Sequence, residues 1–316
     1  MGILINNSRP ASISFLCVFL LCYVQSCQSS EGIIQVDVIS IEKEELKYFD
    51  FPNCKAHQSM AVYGDSVFLV TPRNGILTCN LYDANSLSYI SNLELPYGNN
   101  VLPHANVSCF GKIFYNELSI FPCLYVSQWN DKRLAFVYDF RQDGSLLEPV
   151  LIQIIDPSHL NNAVIGYGNL DWVIDESGEY LYSIAYKRYN SSLESTDNAI
   201  SIVKFPLPDP RDNNYVFLED NEVLDAFVLP IMNATQDKCF VNGYLYVASG
   251  YSDPNFFIPN NLYRIDVNKK ELTKSPILLE GEPEGLSCYD GKLVMNLDNN
   301  SGRVYFIEQY LDGSFI

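Results

Sequence analysis

Apolar residues recur along the chain in one repeated arrangement. Five segments pair a turn with a short run of aliphatic and aromatic residues: residues 64–70, 121–127, 178–184, 242–248 and 290–295. Their first aliphatic positions, Val67, Leu124, Leu181, Leu245 and Leu293, are spaced by roughly 50–65 residues, a repeat length that points to stacked or radial architectures. A second run follows each one, at residues 76–82, 134–140, 200–205, 262–267 and 304–307. Phe136-Val137-Tyr138-Asp139-Phe140 and Arg264-Ile265-Asp266-Val267 alternate with the period of two that a half-buried strand requires. Asn242-Gly243, Asp290-Gly291 and Ser177-Gly178 are hairpin turn pairs, and a further short apolar run precedes four of the turns. Helical periodicity is not sustained anywhere.

Four antiparallel strands repeated around a ring make a β-propeller. The expectation is therefore an all-β, five-bladed propeller in one domain, residues 33–316, with six blades as the alternative. Residues 33–41 (IIQVDVISI) alternate like a strand and belong to no repeat. Pairing them with the last run would close the ring and remove two sheet edges. Residues 189–198 and 206–214, polar or Pro-rich, are the expected loop insertions.

The first 27 residues read differently. Arg9 is followed by an apolar stretch at residues 13–24 and then by Gln25-Ser26-Cys27, the layout of a secretory signal. Its core is shorter than the roughly 20 residues that span a bilayer. Val24-Gln25-Ser26-Cys27 resembles a bacterial lipobox, so lipidation of Cys27 with residues 28–32 as a tether is one expectation. Cleavage near Ser26 without lipid, and an uncleaved anchor, are the alternatives. Each places the mature protein outside the cytoplasm: lipid-anchored in the cell envelope, facing the periplasm or the surface, or secreted.

Composition narrows the partners. The formal net charge is -18, which opposes nucleic-acid binding and docking of a basic face on anionic lipid. Membrane association is expected only through the N-terminal lipid, and the protein is expected to be a monomer. Tyr (22) and Phe (18) far exceed Met (4), a bias that suits strands. Beyond the leader, four Asn-x-Ser/Thr sequences, at Asn106, Asn190, Asn233 and Asn299, are about what an Asn- and Ser-rich chain holds by chance. The cysteines beyond the leader show no CxxC spacing, and the one close His, His57 after Cys54, makes no four-ligand set, so a structural zinc site is unsupported. Cys109 and Cys123 flank one predicted hairpin and are the expected disulfide pair.

Hydrolase and phosphate-binding signatures are missing from the sequence. The residues that enter the predicted innermost strands are polar in every repeat. They place Gln58, His104, Asn106, Asp171, Gln236, Asp237 and Glu284 around one mouth of the central channel, with Trp129 and Trp172 as neighbouring aromatic partners. Asn106, Asn169 and Glu284 are the candidate ligands for a cation, calcium being the cofactor considered. No set of catalytic groups is complete, so the expected role is non-enzymatic binding of a small molecule, peptide or glycan at one face. A cell-surface protein as partner remains open. The alternative is a propeller enzyme, either a cyclotransferase or a cation-dependent lactonase-like hydrolase.

Residues 235–251 (TQDKCFVNGYLYVASGY), with Leu262-Tyr263-Arg264-Ile265-Asp266 after them, resemble the Thr-Gln-Gly-Leu … Gly-x-Leu-Tyr-Glu-Ser-Thr-Gly … Leu-x-Lys/Arg-x-Asp pattern of plant-type and bacterial glutaminyl cyclases. The resemblance covers about 30 residues and implies a five-bladed propeller acting on N-terminal Gln. Val247 stands where that family has Glu, and Asp237 where it has Gly. The whole chain also resembles exported, often lipid-anchored bacterial propellers of unknown role.

Overall fold

The computed structural model describes residues 34–35, 47–51, 57–73, 75–97, 104–128, 132–144, 146–188, 198–230, 234–253, 256–277, 279, 281–298 and 303–307. Trp129, Cys27 and the rest of the predicted leader lie outside them. The described strands form five sheets, mainly antiparallel. Blade one runs outward from Ser59–Tyr63 through Ser66–Arg73 and Ile76–Asp83 to Ser88–Glu94. The innermost strands of blades two to five are Ser108–Phe110, Tyr167–Ile174, Thr235–Val241 and Glu282–Tyr289. Each touches the next, and the fifth touches the first, so the cycle closes. The chain is a five-bladed β-propeller.

The core explains why the repeated runs are continuous rather than alternating. Five clusters of buried side chains lie between successive blades. Phe68 and Val70 enter the cluster shared by blades one and two. Val67 and Leu69, on the opposite face of the same strand, enter the one shared by blades five and one. A blade strand is buried on both faces, so the period of two sorts side chains between two neighbours, not between core and water. The hairpin turns behave as their sequences require. Asn242 and Gly243 have φ of 53° and 80°, and Asp290 and Gly291 of 49° and 72°, the left-handed pair of a two-residue turn that matches strand twist.

Ring closure differs from expectation. The strand that completes blade five is Tyr48–Asp50, antiparallel to Arg303–Tyr305, and Phe306 N–H donates to the Lys47 carbonyl. Phe49 packs against Phe51, Tyr289 and Phe306, which anchors so short a strand. Within the expected strand at residues 33–41, the described part, Ile34–Gln35, instead pairs parallel with Leu272 and Thr273 on the outer edge of blade four. An N-terminal strand closes the ring, but a different one.

The insertion after residue 206 also acquires structure. Tyr215–Phe217 leaves blade three and adds a parallel strand to the outer edge of blade two, beside Ile154–Asp156. Gln153, fully buried, donates through Nε2 to the Asp209 and Asn213 carbonyls and fastens this strap. The five described cysteines are free thiols. Cys109 stands opposite Tyr125, two residues beyond Cys123, so the expected Cys109–Cys123 bond does not form.

Candidate functional site

Inner strands three, four and five each carry an irregularity at the same end. Register shifts fall between Tyr167 and Leu170, between Thr235 and Lys238, and between Glu282 and Gly285. Extra residues in a strand break the alternation and re-aim side chains. Here they release Asn169, Gln236 and Glu284 toward the channel mouth. Gln58 from blade one and His104 and Asn106 from blade two complete the circle around a cavity of about 700 Å3. Every blade contributes, as the sequence predicts.

Beneath this mouth the bulge in blade four has a second effect. Asp237 and Lys238 point to opposite neighbours. Asp237 faces blades five and one, where Oδ2 accepts from Leu286 N at 2.9 Å and Met60 N at 3.1 Å, and Oδ1 accepts from Lys238 N at 2.7 Å. Burial pushes its carboxyl well above the usual range, against the pull of these donors. Lys238 faces blade three, where Nζ lies 2.6 Å from Asp171 Oδ2 and also donates to the Gln236 carbonyl. Asp171 further accepts from Asn106 Nδ2 at 3.3 Å. A belt of polar contacts thus links all five blades below the cavity.

These contacts revise several expected roles. Asp237 lies in the belt and does not line the mouth. Asp171 does line it, but its charge is matched by Lys238, a residue absent from the expected site. Trp172 is buried in the core between blades two and three, its indole N–H donating to the Arg133 carbonyl at 2.9 Å. It packs and positions, and offers no stacking face. Among the described residues no group of three His, Cys, Asp or Glu is arranged to hold a metal. Asn106, Asn169 and Glu284 do share the cavity lining, with Lys238 supplying a protein cation at its floor.

The upper walls are aromatic. Tyr167 and Tyr251 stand exposed at the rim, and Tyr186 lines the side, its hydroxyl accepting from Thr235 N at 3.0 Å. Gln236 is held by its Nε2 donation to the Gly250 carbonyl at 3.0 Å. His104 has its pKa lowered by burial, with Asp171 opposing, so it lines the cavity as a neutral imidazole near pH 7. Val247, in the position of the cyclase glutamate, is fully buried in the core between blades three and four.

The chain matches no family model and no curated protein. Solved structures similar to it include an exo-β-1,3-galactanase from Phanerochaete chrysosporium, at 8% identity and TM-score 0.46, covering 82% of this chain and 64% of that one. A luciferin-regenerating enzyme is 12% identical with TM-score 0.39, covering 80% and 73%. The Pan2 WD40 domain of Neurospora crassa is 7% identical with TM-score 0.32, covering 78% and 61%. At these scores the likeness carries no activity across.

Proposed function

We propose that the protein is a non-enzymatic binding propeller whose mouth cavity takes a small ligand through an ammonium group. The observation that supports this is the charge of the lining. Asp171, Glu282 and Glu284 face a cavity whose only cationic neighbours among the described residues are Lys187 in its wall and Lys238 beneath it. These carboxylates lie in a recess flanked by tyrosines, where an ammonium is favoured by carboxylates and by aromatic faces. The aliphatic Val247, buried away from the cavity, favours binding over cyclisation of an N-terminal Gln.

Thermal melts test the reading, because a ligand that binds only the folded state raises Tm with concentration. Hexylamine is expected to raise the Tm of the wild type and to lose that effect in the Glu282→Gln, Glu284→Gln double variant. No rise, or an undiminished rise in the variant, overturns the amine site. A rise with calcium alone would replace it with a cation site.

We further propose that the protein is exported and tethered through Cys27. The support is the leader pattern, and mass spectrometry of the mature N-terminus decides: an unmodified terminus beyond Cys27 removes the tether.

A further inference from the structure

The mouth cavity has a neighbour of opposite charge. A second cavity, of about 850 Å3, lies toward blade two and shares Tyr167, Gly168 and Asn169 with the first. Lys132 and Arg133 line it, against one carboxylate among the described residues, Asp156. That carboxylate is engaged by the Ser158 N–H at 2.8 Å and by the Tyr215 hydroxyl. The Arg133 guanidinium is fixed by donation to Asn162 Oδ1 at 2.8 Å and to the Gly166 carbonyl at 3.0 Å, and its backbone carbonyl is held by Trp172. A guanidinium has five N–H donors in a rigid fork, so these two contacts hold it in place while leaving donors for a carboxylate. The shared wall is low: Gly168 has φ of 70°, and a Cβ placed there would meet nothing within 4 Å. Beside it the ring of Tyr167 is 55% exposed, an apolar surface for a chain passing from one cavity to the other.

We propose that the two cavities hold one elongated dipolar ligand, its ammonium group in the acidic mouth and its anionic group at Arg133 and Lys132, with an apolar tether across Gly168 and Tyr167. This rests on the amine reading of the mouth and adds the charge and shape of the rest of the ligand.

Calorimetric titration with α,ω-amino acids of increasing length, beside matched alkylamines and alkanoates, tests it. At the matching length the amino acid is expected to bind about tenfold more tightly than the amine, the scale of one charge-assisted contact. Arg133→Gln should reduce the amino acid to the amine's affinity and leave the amine unchanged, while Arg133→Lys, which keeps the charge, should retain most of the advantage. Lys132→Gln, on an exposed side chain, gives the same direction of effect should Arg133→Gln fail to fold. Equal affinity of amino acid and amine at every length, or an advantage indifferent to both substitutions, overturns the dipolar ligand and leaves the mouth site standing. Failure of the amines and amino acids to bind at all overturns both readings. Arg133-dependent binding of alkanoate alone would mark an isolated anion site and likewise overturn the dipolar ligand.

Discussion

Lys238 and Asp171 form a buried ion pair: Nζ and Oδ2 are 2.6 Å apart, and their side chains are 0% and 4% exposed. The pair joins blade four to blade three under the cavity. Removing one partner leaves the other buried charge without its counter-ion, at a cost of about 3–5 kcal/mol. Lys238→Met and Asp171→Asn are therefore expected to lower stability by amounts of that order in chemical denaturation. The double variant should be more stable than the sum of the two losses allows. Additive losses would show that the pair does not act as a unit.

His57 gives the fold a pH dependence. Its ring is buried beside Thr71, with Nδ1 and Oγ1 2.8 Å apart, and burial lowers its pKa from 6.5 to about 4. The unfolded chain thus binds a proton more readily than the folded one between pH 6.5 and 4. Stability contributed by the neutral ring is complete above pH 6.5 and is lost as pH falls toward 4, over a range of at most about 3 kcal/mol. The stability difference between wild type and His57→Gln should shrink across that window. A difference constant from pH 7 to pH 4 would show that His57 titrates alike in both states.

The thiols are expected to be inert. Burial pushes Cys109 and Cys123 up to about 12 and raises Cys79 and Cys239 as well, so thiolate, the reactive form, is scarce at neutral pH. Peptide mapping after alkylation should find these four unlabelled in the native protein and labelled in denaturant, with no Cys109–Cys123 linked peptide under non-reducing conditions. A linked peptide would reinstate the disulfide.

The repeats were legible because each blade contains a turn and a strand apolar on both faces, a local signal. Closure was not. Residues 33–41 form a long β-prone run that alternates over Ile34–Val38, whereas Tyr48–Asp50 is three residues long and owes its place to aromatic partners at Tyr289 and Phe306, far away in sequence. The polar mouth was legible at Gln58, Asn106, Gln236 and Glu284, since each precedes an apolar run. The belt was not, because Lys238 meets Asp171 across 67 positions. One signal was available: Asp237-Lys238 puts two adjacent charges directly before the apolar run Cys239-Phe240-Val241 of an inner strand, and charges there must find partners.

Truncation separates the two N-terminal strands. Starting the chain at residue 43 removes Ile34–Gln35 and bares only the outer edge of blade four. Starting it at residue 52 removes Tyr48–Asp50 and Phe51, which bares the Arg303–Phe306 edge of blade five and thins the core that blades five and one share. The first protein should stay monomeric with a modest fall in Tm, and the second should aggregate through its unpaired edge. Light scattering and melting curves distinguish them. Equal behaviour would mean that closure is shared between the strands.

Gly250 connects the fold to the mouth. It lies at a register shift between the second and third strands of blade four, where its carbonyl receives the Gln236 amide and its N–H donates to the Ala234 carbonyl at 3.0 Å. A Cβ at this position would stand 1.9 Å from Asn260 Oδ1, far inside contact distance. Asn260 has little room to retreat, since its Nδ2 donates to the Leu279 and Gly281 carbonyls at 3.1 and 2.6 Å, the approach to blade five. Gly250→Ala must therefore displace either the strand beneath Gln236 or the segment leading to Glu282. In both cases the cavity wall moves while the interblade cores stay filled. The expected outcome is a loss of hexylamine binding larger than the loss in Tm would suggest, read by titration and melting on one preparation. Unchanged binding would show that the Gly250–Gln236 contact does not shape the mouth.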